Sequence, residues 1–199
     1  MEFKIEHVEV YGLDKALIAS GNPMRTNMAD NRVCAVEADE KRGLALASTL
    51  PGGGHDNWLN GVIVQMDVYA PLFWWKQAQR YHWFDFISSQ STMHRAMSFD
   101  IGENCVADVD ARVLDILNSI KSEYNNTTDE SERNIIWRRF IATLPSGFIL
   151  GATMTTNYRQ LKTMYLQRRN HKLKEWHDFC KFCEELPLFK EMIEKIDKK

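Results

Sequence analysis

Long apolar runs are missing from this sequence. No stretch approaches the roughly 18 consecutive apolar residues that a membrane-spanning helix needs. Charges interrupt the opening Met1–Val10 throughout, so neither a membrane span nor a signal peptide is expected. Cysteine is sparse as well. Cys34, Cys105, Cys180 and Cys183 are too few and too scattered for a disulfide framework, and a reducing, cytoplasmic setting is expected. In that setting the overlapping sequons of Asn125-Asn126-Thr127-Thr128 read as a polar loop. Charge of one sign is not in excess either: 25 Lys+Arg against 27 Asp+Glu leave a net charge of −2. Any affinity for phosphate must therefore come from local clusters.

What is present is the balance of a chain that buries a real core: 44% hydrophobic and 26% charged residues over 199 positions, the length of one domain spanning 1–199. Residues 3–11 partly alternate and are rich in Val and Ile, which predicts a strand. A short helix is expected over Asp14–Ala19 and a longer one over Glu37–Ser48, ahead of the break at Leu50-Pro51-Gly52-Gly53-Gly54. Val62–Val68 reads as a strand, and Pro71 suits the first turn of a helix over Leu72–Phe86. A helix over Ala107–Ser122 is followed by a polar stretch, Tyr124–Arg133, expected as an exposed loop. Phe148–Met154 fits a buried strand. A helix starting near Thr156 is expected to continue past Arg168, and the chain should end in helices broken at Pro187. Strands and helices without a βαβ rhythm imply an α+β fold, with a mixed sheet flanked by helices.

Four constellations carry chemistry. At about 100° per residue, Asn157, Leu161, Met164 and Arg168 fall on one helical stripe, with its polar ends roughly 16 Å apart. An amide and a guanidinium bracketing two apolar residues suit a pocket for a flat ring with charged ends; an ordinary helix with a snorkelling Arg fits the same pattern. Phe73–Phe84 holds six aromatics among twelve residues, interleaved with Lys76, Arg80 and His82. That pattern suits a base or ring stacked beside a phosphate, single-stranded nucleic acid, or simply a buried amphipathic helix. Ser88-Ser89-Gln90-Ser91-Thr92-Met93-His94-Arg95 is dense in phosphate donors, or else a capping loop. Gly52-Gly53-Gly54-His55 allows backbone amides to converge on an anion but matches no phosphate-loop spacing. Cys180-x-x-Cys183 lies near His171 and His177, yet a lone pair on a helix beside Phe179 and Phe182 reads better as buried thiols than as a zinc site, so no metal is expected. Spacing assigns no nucleophile–base pair.

At these residues the chain resembles the flavin-dependent thymidylate synthases. Leu144-Pro145 through Asn157, Arg159, Leu161 and Arg168 aligns without a gap to that family's LP…N-x-R-x-L…R helix. Val68-x-Ala70-Pro71-x-Phe73, with Gln77 and Arg80 following, is similar to its V-x-A-P-x-F…R-Q-x-x-R segment. Gly54-His55-Asp56 is similar to its G-H-E. Together these matches cover roughly residues 50–95 and 140–185. The family's signature is degenerate here. Arg80-Tyr81-His82 stands where the family has Arg-His-Arg, two extra residues follow, and Ser89–Arg95 replaces N-E-x-S-x-R-Y, with Arg95 displaced by one place. Ile141 occupies the ungapped position of a phosphate-binding Arg, with Arg138 or Arg139 as the available substitutes.

The resemblance implies a homotetramer that binds FAD and dUMP where subunits meet, with NADPH and methylenetetrahydrofolate as co-substrates and a methyl group delivered to C5 of the uracil. It implies that Arg168 stabilises charge developing on the pyrimidine, and that His55, Arg80, His82, Ser89, Gln90 and Asn157 hold FAD. By the same implication Gln77, Ser91, Arg95 and Arg168 hold the nucleotide. The altered signature leaves open hydroxymethylation of a pyrimidine nucleotide, or a non-catalytic module that binds nucleotides or single-stranded nucleic acid. A small zinc protein built on His171, His177, Cys180 and Cys183 is the weakest alternative.

Overall fold

The computed structural model of the chain describes residues 2–28, 31–49 and 53–198. Four strands, β1 (Lys4–Tyr11), β2 (Ile63–Pro71), β3 (Asp85–Ser89) and β4 (Ile149–Asn157), form a sheet in the order β1-β2-β4-β3. The sheet is antiparallel, where a mixed one was expected, because no helical crossover returns the chain to a parallel neighbour. The helices are α1 (Leu13–Ala19), α2 (Glu37–Ala47), α3 (Leu72–Ala78), α4 (Thr92–Arg95), α5 (Ala111–Asn126), α6 (Glu130–Thr143), α7 (Tyr158–Arg168), α8 (Lys174–Glu185) and α9 (Phe189–Asp197). The α+β class read from the sequence is the one observed. No helix among the described residues is long and apolar enough to cross a membrane.

By internal packing the chain divides into two compact units. One comprises Met1–Lys4, Asp67–Arg80 and Phe86–Thr153; the other comprises Ile5–Met66, Tyr81–Asp85 and Met154–Lys199. Strands β2 and β4 each contribute residues to both. Along β2 the alternation is strict, with Val64, Met66, Val68 and Ala70 all buried. Each large apolar side chain so removed from water stabilises the fold by about 1.5–3 kcal/mol.

In the first unit, Leu117 and Ile120 of α5 and Ile136 and Phe140 of α6 pack with Ile101, Cys105 and Phe148. Helix α5 begins at Ala111 rather than Ala107 because the Asp110 carboxylate accepts the Arg112 N–H as its cap. Asp129 caps α6 in the same way, accepting from the Glu132 N–H at 2.8 Å. Only residues 127–129 separate the two helices, so the exposed loop expected over Tyr124–Arg133 is mostly helix. The helix expected over Leu72–Phe86 also differs: it stops at Ala78, and the chain turns through Trp83, at φ 64°, into edge strand β3. Pro71 precedes that helix instead of opening it. Trp74 is fully buried against Phe3, and Trp75 donates its indole N–H to the Leu150 carbonyl at 3.1 Å. These two rings of the aromatic-basic stretch are core, not a stacking platform.

In the second unit, Gly12 precedes α1 as its N-cap with a φ of 77° that suits glycine; a Cβ there would sit 2.5 Å from the Gly61 carbonyl oxygen. Asp39 is buried at the start of α2. It accepts from Arg32 at 2.7 Å, from Arg42 at 2.5 Å and from the Val36 N–H at 3.2 Å. Arg42 also donates to Ser20 Oγ and to the Leu17 carbonyl, which joins α2 to α1. The hydrogen bonds from Arg32 and then Arg42 hold the Asp39 carboxyl down to about 2. A depressed folded-state value stabilises the protein above the unfolded value, near 4, and that contribution is lost as pH falls toward 2. The stability gap between wild type and Asp39→Asn, measured by denaturant melts, should therefore be full at pH 5 and shrink toward pH 2. A gap that stays constant over that range contradicts the assignment.

Candidate functional site

Asn157 ends β4 and caps α7 rather than lying within the helix. Its Oδ1 accepts the Gln160 N–H at 2.9 Å, which orients the carboxamide and leaves its N–H2 as the group it can offer a ligand. Leu161 and Met164 are fully buried, so the expected stripe does not line a pocket along its length. Packing takes its apolar middle into the core. Its two polar ends lie in different surroundings.

At the Asn157 end is a cleft of about 260 Å³ lined by Asp56, Asn60, Trp83, Asn157, Arg159, Gln160 and Thr163. Trp83 stands out at 69% exposure, and Asp56 is 1% exposed. The Asp56 Oδ2 accepts from Lys162 Nζ at 2.8 Å, and Nζ also donates to the carbonyls of Ala47 at 2.7 Å and Thr49 at 2.8 Å. All three ammonium hydrogens are thus used. Asp56 Oδ1 receives no hydrogen bond, and Arg159 Nε stands 3.5 Å from it.

At the other end, Arg168 is half-buried. Its Nε donates to Tyr81 Oη at 2.7 Å, and its guanidinium carbon lies 4.6 Å from the Trp176 ring centroid and 5.4 Å from that of Tyr81. Tyr81 in turn donates to Gln167 at 3.0 Å, and Trp176 is fully buried against Phe179. The guanidinium is therefore fixed by two rings and a hydroxyl. His55 is exposed and lines a separate cleft of about 380 Å³ with Gly54, Asn57 and Trp58; Gly52 lies outside the described residues. His82 is exposed in the turn before Trp83.

In the other unit, Ser89 and Gln90 share a cleft of about 190 Å³ with Asp67, Tyr69, Ser88 and Gly151–Thr153. Gln90 is partly committed to the sheet edge: its Oε1 accepts from the Gly151 N–H at 2.8 Å, and its own N–H donates to the Gly151 carbonyl at 2.9 Å. Gly151 permits that approach, since a Cβ there would fall 2.7 Å from the Tyr69 ring. Ser91 caps α4, accepting from the His94 N–H, and Arg95 is exposed at the helix end. Gln77 is half-buried on α3, and Arg80 is exposed. Arg139 pairs with Glu123.

Cys180 and Cys183 are buried, and burial pushes the Cys180 thiol up to about 12 and Cys183 well above its usual value. His171 Nδ1 accepts the Leu173 N–H, and among the described residues no group of three His, Cys, Asp or Glu could hold a metal ion. Cys34 alone of the four cysteines is exposed.

Trp176 and Lys162 escaped the reading of motifs, and Asp56 and Tyr81, though inside the Gly54-His55-Asp56 and Arg80-Tyr81-His82 matches, were given no role by it. Lys162 had a signal: Tyr158, Leu161, Lys162 and Tyr165 follow an i, i+3, i+4, i+7 spacing, the pattern of a buried helical face.

No protein-family model matches the sequence, and no curated protein matches it. Solved structures do. The flavin-dependent thymidylate synthase ThyX from Helicobacter pylori, complexed with FAD and dUMP, superposes with a TM-score of 0.69 at 15% identity over 96% of this chain and 99% of that one. A second structure of that enzyme with FAD and dUMP gives 0.68 at 17% identity, over 97% and 99%. The UMP/dUMP methylase PolB from Streptomyces cacaoi, bound with 5-Br dUMP, gives 0.66 at 15% identity over 97% and 95%. The chain has their fold.

Proposed function

We propose that this chain, folded as those nucleotide methylases are, is itself a divergent flavin-dependent thymidylate synthase. It would transfer a one-carbon unit from methylenetetrahydrofolate to C5 of dUMP, with FAD as cofactor, NADPH as reductant and a homotetramer as the working assembly. The observation that carries this reading is the clamped guanidinium of Arg168, at the position the sequence resemblance gives to pyrimidine recognition. Bond formation at C5 pushes negative charge onto the uracil carbonyls. A cation already fixed in orientation stabilises that charge more in the transition state than in the ground state.

The residues present fit a flavin by the chemistry of their donors. The amides of Asn157, Asn60 and Gln160 and the exposed indole of Trp83 suit the edge and face of a flat ring, and Ser89, Ser91 and Arg95 suit phosphate. FAD, when bound, supplies the two-electron step between reductant and one-carbon unit. His55, Arg80, His82, Ser89, Gln90 and Asn157 would hold it. Gln77, Ser91, Arg95 and Arg168 would hold the nucleotide. Asn157, fixed by its capping bond, would orient the ring.

Purified protein incubated with FAD and desalted should retain flavin absorption, and with dUMP, NADPH and methylenetetrahydrofolate it should form a product heavier by CH2. A gain of CH2O would move the activity to hydroxymethylation. Colourless protein that takes up no FAD ends the proposal.

A further inference from the structure

We infer that Asp56 determines specificity in the cleft it lines, accepting the imide N–H of a flat heterocycle whose flanking carbonyls meet the surrounding amides. The inference rests on the function proposed above and names a contact within it. Asp56 is 1% exposed, and its Oδ2 is held by Lys162, itself fully buried. Its Oδ1 is equally buried and receives no hydrogen bond; Arg159 Nε, 3.5 Å away, does not make one. A buried acceptor left unmade is costly, so a donor that reaches it is favoured. The amides of Asn157, whose Oδ1 is spent on the Gln160 cap, of Asn60 and of Gln160 line the same cleft, beside the Arg159 guanidinium that pairs with Asp56 at 3.5 Å.

The number of acceptors selects the ligand. An aminopyrimidine face, with an N–H and an amino group side by side, needs both oxygens of a carboxylate. Here Lys162 occupies one of them. A single oxygen suits a single N–H, and amide and guanidinium donors in the same cleft suit the carbonyls that flank it. That acceptor–donor–acceptor edge belongs to an imide, and both the isoalloxazine ring and uracil carry one.

The test compares equilibrium binding of FAD with N3-methyl-FAD, and of dUMP with N3-methyl-dUMP, to the full chain. In wild type, methylation should weaken one pair by about tenfold to a hundredfold. Loss in the FAD pair assigns the cleft to the flavin, and loss in the dUMP pair assigns it to the nucleotide. In Asp56→Asn, Lys162 keeps the side-chain oxygen and turns the N–H2 toward the ligand, so the methyl penalty should fall within about threefold. A penalty absent in both pairs, or unchanged in Asp56→Asn, overturns the inference while FAD uptake keeps the functional reading alive. If neither FAD nor dUMP binds, the functional reading fails and this contact fails with it. Should the variant not fold, the wild-type ratios decide alone.

Discussion

Replacing Lys162 with Met should destabilise the protein by about 3–5 kcal/mol, a large share of the roughly 5–15 kcal/mol that holds a typical domain together. The side chain of Lys162 is 1% exposed and that of Asp56 2%. The ammonium ties the end of α2, through the Ala47 and Thr49 carbonyls, to the Asp56 carboxylate. Met fills similar volume, so the loss would reflect polar groups stranded in a dry interior more than a cavity. The carboxylate suffers most, since its other oxygen already lacks a hydrogen bond. Denaturant melts measure the effect, and a loss under about 1 kcal/mol would mean that water reaches the pair. Combining Lys162→Met with Asp56→Asn should cost less than the sum of the two single changes, because the second removes the charge that the first strands.

Arg168→Lys should lower turnover by about a hundredfold to a thousandfold, with a smaller loss of nucleotide affinity. Lysine keeps the charge but has no planar fork to lie over Trp176 and no Nε–H to meet Tyr81. The charge would then sample many positions, and the benefit of having it aligned before the reaction is lost. Turnover within threefold of wild type would remove Arg168 from the chemistry. A thermal melt on the same preparation separates this from unfolding, since Trp176 keeps its contacts with Phe179 and Tyr81.

Much of this architecture is legible in the sequence, for reasons that differ by element. Strand β1 buries no residue fully, and it is legible from its Val and Ile content and partial alternation. The strands β2 and β4 and the helices α1, α2, α8 and α9 bury one face or a continuous apolar run, so their periodicity survives as a pattern of residue types. Edge strand β3 does not. All five of its residues are exposed, no alternation marks it, and the aromatic run preceding it reads as one long helix. The α5–α6 junction is hidden by polar, solvent-facing helix ends, and the carboxylates of Asp110 and Asp129 are the marks that place those helix starts.

The candidate site divides along the same line. Asn157, Arg168, His55 and the serine-rich stretch were reachable because motifs preserve spacing. What holds Arg168 was not, since Tyr81 lies 87 positions away in sequence and only folding brings it near. The same is true of Asp56, whose partner Lys162 is 106 positions distant. The pocket expected along the Asn157–Arg168 stripe failed because helical geometry says which residues share a face, not what covers it.

The distribution of thiols has a practical consequence. With Cys34 at the surface and Cys105, Cys180 and Cys183 enclosed, a thiol-specific alkylating reagent meets one thiol in the native chain and four once the chain opens. The sequence thus carries its own tethering point for a dye or a surface. It also carries three internal sentinels that become reactive only as the interior is breached.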